Sequence, residues 1–87
     1  MSVALQAQNL TVSGTVKSAR SNKPLQSANV VIENTDLGTF TDENGKFIVK
    51  DIRSSEVSIK ISMIGFVDTS LSVSTNEKTY DLGEIKL

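Results

Sequence analysis

The chain has 87 residues, nine basic and ten acidic, for a net charge of −1; that suits one small domain, and a chain of this size buries only about 60–65% of its unfolded surface. It contains no cysteine and no histidine, which excludes disulfides, thiolate and imidazole metal sites, and the Ser–His–Asp and Cys–His nucleophile systems. The charges are scattered, and Phe40, Phe47, Phe66 and Tyr80 form no basic–aromatic platform, so nucleic acid is not an expected partner; no apolar run approaches the roughly 18 residues of a membrane span, so direct membrane insertion is not expected either.

The first eight residues, MSVALQAQ, are small, apolar and glutamine-bearing, and the first charge is Lys17. They read either as a disordered terminus or as the tail of a secretory signal ending near Ala7, although Leu5 is a poor fit where small side chains are favoured. The folded domain is expected over residues 9–87. Asn9–Leu10–Thr11 matches the N-glycosylation sequon, which has meaning only in a eukaryotic secretory host.

From Leu10 onward short alternating runs recur about every 8 to 14 residues, the pattern of a sandwich or barrel. In LTVSGTVKS, Leu10, Val12 and Val16 share one face, and Gly14 lies on that face without a side chain, as at a bulge or a close backbone approach. ARSNKPL is a turn with Pro24 near its end. ANVVIEN is a second strand with Val30 and Ile32 inward. LGTFT and GKFIVK flank a hairpin. EVSIKISMI sets Val57, Ile59, Ile61 and Met63 against Ser58, Lys60 and Ser62, and IGF turns the chain, with Gly65 supplying backbone freedom. FVDTSLSVS follows with Val67, Leu71 and Val73 on one face. NEK makes the next turn. In TYDLGEIKL the apolar parity switches from Tyr80 and Leu82 to Ile85 and Leu87, and one extra residue at Gly83, a bulge, keeps both pairs facing the core. These elements predict an all-β protein, a seven-stranded antiparallel β-sandwich.

The stretch LGTFTDENGKFIV holds Asp42, Glu43 and Asn44 before Gly45, and it reads as a calcium loop or as a hairpin tip. A turn from Asp42 to Gly45, with Asp first and Gly fourth, uses the residues preferred there. It sets Phe40 opposite Ile48 and Thr41 opposite Phe47. A two-residue Asn44–Gly45 turn is the rival, but it sets the Asp42 carboxylate opposite Phe47, the worse pairing. A helix–loop–helix calcium site needs alternating ligands and a bidentate Glu about six residues after the glycine. Here that residue is Asp51, strand residues intervene and the flanks are strands, so turn chemistry is the preferred reading; weak calcium binding at 42–45 stays open.

Asp42/Glu43 and Asp81/Glu84 are the carboxylate pairs near in sequence, and without a histidine they read as solvated charges rather than acid–base machinery. Lys17, Arg20 and Lys23 read as a solvated loop cluster. An edge strand, LTVSGTV or a neighbour, would offer unpaired backbone groups for strand addition, unless Lys17, Lys46 or Lys50 guards it.

The order VSGTV, KPLQSANVVIENTDLGTFTDENGKFIV, SIKISMIGF and DLGEIKL resembles the carboxypeptidase-regulatory-like domain over residues 10–87. The most specific positions are Pro24–Leu25, Ala28–Asn29–Val30, Gly38–Thr39, Thr41–Asp42 with Gly45 and Phe47, and Ile64–Gly65–Phe66. The resemblance implies a transthyretin-like (prealbumin-like) Greek-key sandwich in which Pro24, Asp42, Asn44, Gly45 and Gly65 are structural turn residues. It implies no catalytic residue, cofactor or metal. The version most like this chain is the N-terminal extension of TonB-dependent outer-membrane receptors, on the periplasmic side of the outer membrane. That implies an exported, non-enzymatic accessory domain of a nutrient transporter, monomeric when isolated. Its partners would be other domains of the parent protein or periplasmic proteins. The alternative is a binding or spacer module of a secreted peptidase or glycan-active protein.

Overall fold

Residues 9–87 are described by a computed structural model; the reading of residues 1–8 lies outside the described residues. Seven strands form in the order β1 (Leu10–Lys17), β2 (Asn29–Ile32), β3 (Gly38–Phe40), β4 (Lys46–Ile52), β5 (Glu56–Ser62), β6 (Thr69–Ser74) and β7 (Thr79–Lys86), with no helix among the described residues. They make two sheets, β4-β1-β7 and β3-β2-β5-β6, whose apolar faces meet in one core, the arrangement of a β-sandwich.

The two-residue side-chain period produces that core. Leu10, Val12 and Val16 of β1, Val30 and Ile32 of β2, and Val57, Ile59 and Ile61 of β5 are all buried, joined by Phe47, Val49 and Ile52 of β4, Val73 of β6 and Ile85 of β7. Met63, Leu71, Leu82 and Leu87 pack against this cluster and are partly buried. Two residues expected inward are not. Val67 is 82% exposed because β6 begins only at Thr69, and Tyr80 is 40% exposed on an outer strand.

The alternation predicts a purely antiparallel sandwich, but one strand pair is parallel. β1 and β7 pair in parallel, from Thr11 against Thr79 to Lys17 against Lys86. The chain crosses between sheets after β1, β3, β4 and β6, so β7 returns beside β1 only after β2 to β6, the long separation along the chain that parallel pairing requires. Side-chain alternation has the same period in both pairings and gives no sign of direction. This also makes β1 a central strand, not an edge, and leaves β4, β7, β3 and β6 as the outer strands.

The hairpin ladder expected between β3 and β4 is not formed. β3 pairs with β2, Phe40 lying against Asn29, while β4 pairs with β1, Phe47 against Gly14 and Ile48 against Ser13. The tight turn at 42–45 is a corner between the sheets, and Phe40 does not face Ile48 in a ladder. β4 gains the eight-residue β1 as its partner in place of the three-residue β3, and the core fills the space between the sheets. The true hairpins are β2–β3 and β5–β6.

Both outer strands of the smaller sheet carry a bulge. In β7 three steps from Asp81 to Glu84 oppose two from Ser13 to Thr15; Gly83 has φ +71° and its N–H donates to Asp81 Oδ1 at 2.9 Å. This is the extra residue inferred from the parity switch. In β4 the three steps from Val49 to Ile52 oppose two from Leu10 to Val12, with Asp51 at φ +62°.

Candidate functional site

Pro24, Leu25, Ala28, Thr41, Asp42 and Gly45 converge on one structural node, while Gly65 lies apart in the β5–β6 turn. Gly45 N–H donates to the Asp42 carbonyl at 2.9 Å and Asp42 N–H donates to the Lys46 carbonyl at 2.9 Å, closing a turn with Gly45 at φ +76°. Asp42 Oδ1 accepts the N–H groups of Asn44 and Lys46, each at 2.9 Å. That carboxylate oxygen is committed to the turn's own backbone, as an Asp at the first turn position is. Asn44 takes part through its backbone N–H.

The turn is tied to the end of β1 and to the loop before β2. Val16 N–H donates to the Gly45 carbonyl at 2.7 Å, and Leu25 N–H donates to the Val16 carbonyl at 3.0 Å. Pro24 forms an isolated bridge with Lys17. A Cβ added at Gly45 would collide with the Val16 carbonyl oxygen and press on Pro24 Cβ at 3.1 Å, so glycine is needed there for space as well as for φ.

Thr41 joins the remaining strands of the node, a role that sequence reasoning missed. It is buried, its hydroxyl donates to the Leu25 carbonyl at 2.6 Å and accepts from Ala28 N–H at 2.8 Å. Its backbone N–H and C=O bond Ala28 and Ser27. A threonine inside an apolar–polar alternation looks like any half-exposed strand residue, so its sequence carries no signal beyond its place next to Asp42. Ser18 is also buried, and its Oγ accepts the N–H groups of Arg20 and Ser21 at 3.2 Å each, shaping the loop that leads to Pro24.

Asp81 and Glu84, near each other in sequence, each hold a different partner. Asp81 serves the Gly83 bulge. Glu84 accepts a 2.6 Å hydrogen bond from Lys17 Nζ across the β1–β7 pair. That hydrogen bond and the adjacent ammonium charge hold the Glu84 carboxyl below its ordinary range. Among the described residues no three acidic groups converge in a way that could hold a metal ion. No buried side-chain nitrogen or oxygen among them lacks a partner, so the interior presents no unsatisfied group to a ligand.

What the surface does present is an apolar end. The β5–β6 turn closes with Phe66 N–H donating to the Met63 carbonyl at 3.0 Å, and Gly65 at its third position has φ +92°. This geometry leaves Ile64 99% exposed and Val67 82% exposed. A shallow groove lined by Ala19, Arg20, Phe66, Val67 and Leu87 runs beside this tip. Leu87 is held there by two backbone bonds, Ala19 N–H to its carbonyl and its own N–H to the Lys17 carbonyl. An apolar turn packed into nothing is the informative kind of exposed residue.

Comparisons with known proteins agree with this architecture. The fold is similar to that of a chain in a type II cohesin–X–dockerin complex from Acetivibrio cellulolyticus, with a TM-score of 0.74 and 21% identity over 86% of this chain and 52% of that one. A second variant of that complex gives a TM-score of 0.71 at 22% identity, with the same shares of each chain covered. A 9R-lipoxygenase from Cyanothece PCC8801 is similar at a TM-score of 0.64 and 14% identity, over 100% of this chain and 18% of that one. The chain thus spans about half the length of the first two structures it matches. No curated protein matches. The model of the CarboxypepD_reg-like domain matches residues 12–85, a span that includes the whole Pro24–Thr41–Gly45 node, and the chain belongs to that family.

Proposed function

We propose that this chain is the non-enzymatic accessory domain of a TonB-dependent outer-membrane receptor for nutrient uptake, exported and placed on the periplasmic side of the membrane. It acts by docking to the part of the receptor that follows it. The observation that carries this reading is the apolar β5–β6 turn, where Ile64 and Val67 are exposed and Val67 shares a groove with Leu87. Any segment that continues from Leu87 leaves the sandwich at this end, where covering the two side chains would remove apolar surface from water. The family, the resemblance of DLGEIKL to the end of such extensions, and the signal-like VALQAQ support the same placement. The connectivity is read as the Greek-key, transthyretin-like arrangement of that family, supported by the four crossings between the sheets.

The second reading is a binding or spacer module of a secreted peptidase or glycan-active protein. It is favoured by the likeness of fold to about half of a chain from an assembly named for cohesin, X and dockerin modules. The reading frame beyond Leu87 separates the two. A TonB box, a plug and long alternating barrel strands support the receptor. A stop codon soon after Leu87 overturns it, and a hydrolase domain there transfers the argument to the second reading.

A further inference from the structure

The four outer strands are protected very unequally. β3 has three residues, too few to template another chain. β4 is bulged at Asp51 and carries Lys46 and Lys50; β7 is bulged at Gly83 and carries Asp81, Glu84 and Lys86. Short length, bulges and charges are the ordinary means by which edges are closed to other chains. β6 has none of them. Its six residues, Thr69–Ser74, include no charge, glycine or proline, and its register with β5 runs unbroken from Glu56 against Ser74 to Ile61 against Thr69.

The ladder also fixes which backbone groups β6 presents. Thr75 N–H donates to the Ser55 carbonyl. Bonded pairs alternate along an antiparallel ladder, so Val73, Leu71 and Thr69 bond toward β5, and Ser70, Ser72 and Ser74 direct their N–H and C=O groups outward. The four-stranded sheet is one strand wider than the sheet it faces. The corner at 42–45 holds β3 and β4 on the same side, which places β6 at the opposite rim of the core. On its inner face Val73 is buried in the core and Leu71 is only partly buried.

We propose that β6 is a self-pairing edge and that its occupant is β6 of a second copy of this chain. The outward groups set the register: Ser72 faces Ser72 of the second copy across a two-fold axis, and Ser70 faces Ser74. In this register Leu71 meets Val73 on the inner face, serine meets serine on the outer face, and Thr69 meets Thr75. The first charges beyond the seam, Asp68 and Glu77, face Asn76 and Val67 of the second copy. No like charges oppose each other, and apolar side chains meet apolar ones, as favourable cross-strand pairs require. The two four-stranded sheets become one continuous sheet of eight with an isologous interface. This departs from the monomer expected of the isolated domain, and it is independent of the receptor context proposed above. A six-residue strand pair falls below the standard interface of about 1,600 Å², so the dimer is weak and depends on concentration.

Sedimentation equilibrium up to about 1 mM protein tests this, since weak association is resolved only near its dissociation constant. The wild-type average mass rises toward twice that of the monomer. Ser72→Lys and Ser72→Glu each place like charges face to face on the axis and stay monomeric, while an equal mixture of the two regains the dimer. Circular dichroism of each variant shows the wild-type sandwich, because Ser72 is exposed. The proposal is overturned by a wild type that is monomeric throughout, by a Ser72→Lys variant that associates like the wild type, or by a charge-paired mixture that stays monomeric.

Discussion

Replacing Gly45 with alanine separates two costs that glycine substitutions usually mix. Gly83 is the internal control: both glycines have positive φ, +76° and +71°, but a Cβ at Gly83 meets nothing within 4 Å while one at Gly45 strikes the Val16 carbonyl oxygen. A left-handed conformation costs a non-glycine residue about 1–2 kcal/mol, partly offset by about 0.4–1 kcal/mol from the stiffer unfolded chain. Gly83→Ala therefore costs about 0.5–1 kcal/mol. At Gly45 the collision also drives apart the Val16 amide and the Gly45 carbonyl, now 2.7 Å apart. Val16 is fully buried, and leaving its N–H unpaired costs a further 1–3 kcal/mol or so. Gly45→Ala is then destabilising by about 2–4 kcal/mol, a large part of what so small a domain has. Urea unfolding followed by circular dichroism reads the difference, and with a slope near 1 kcal/mol/M the two midpoints separate by roughly 1–3 M. Equal shifts for the two variants, or a milder one at Gly45, would refute the close-approach argument and leave only φ as the reason for glycine.

Three further outcomes follow from the node and the surface. Thr41→Val removes the hydroxyl that bonds Leu25 and Ala28 and lowers stability by about 2–4 kcal/mol, whereas Thr41→Ser retains both bonds and loses about 1 kcal/mol; equal losses would mean that the hydroxyl bonds contribute nothing. Because Lys17 lowers the folded-state pKa of Glu84 from its ordinary value near 4.5, the pair's contribution is complete above that value and is lost as pH falls through the lowered one. The stability gap between wild type and Glu84→Gln should narrow as pH falls below that ordinary value, and narrow in high salt; a gap that does not change with acidification or salt would contradict the pairing. Since Asp42 Oδ1 already accepts two backbone N–H groups, melting temperatures in calcium and in chelator should coincide, and a rise with calcium would restore the metal-loop reading.

The inward faces of β1, β2 and β5 were legible because their side chains alternate cleanly, and the Gly83 bulge was legible because alternation broke by one residue. What alternation cannot carry is pairing direction and sheet membership. That is why the parallel β1–β7 pair and the transfer of β4 to the opposite sheet have no counterpart in the alternation. The Asp42–Gly45 turn was read from local chemistry, but its closure says nothing about whether the strands beyond it stay together. Ile64 and Val67 were hidden for a related reason. In sequence Val67 continues the parity of Leu71 and Val73, and only the late start of β6 at Thr69 turns it outward. The β2–β3 hairpin did leave a signal in the polar run Glu33–Asn34–Thr35–Asp36, where Thr35 Oγ1 donates to the Ile32 carbonyl and accepts Leu37 N–H.

The proposed docking through the apolar tip is tested by cysteine labelling. The chain has no cysteine of its own, so a single Ile64→Cys or Lys50→Cys reports one surface each. Maleimide labelling rates are compared between the isolated domain and the intact parent protein. Ile64→Cys should label quickly in isolation and at least tenfold more slowly in the parent, a change of about 1.4 kcal/mol or more in its accessibility, while Lys50→Cys labels alike in both. An Ile64→Cys that labels as fast in the parent as in the isolated domain would contradict it.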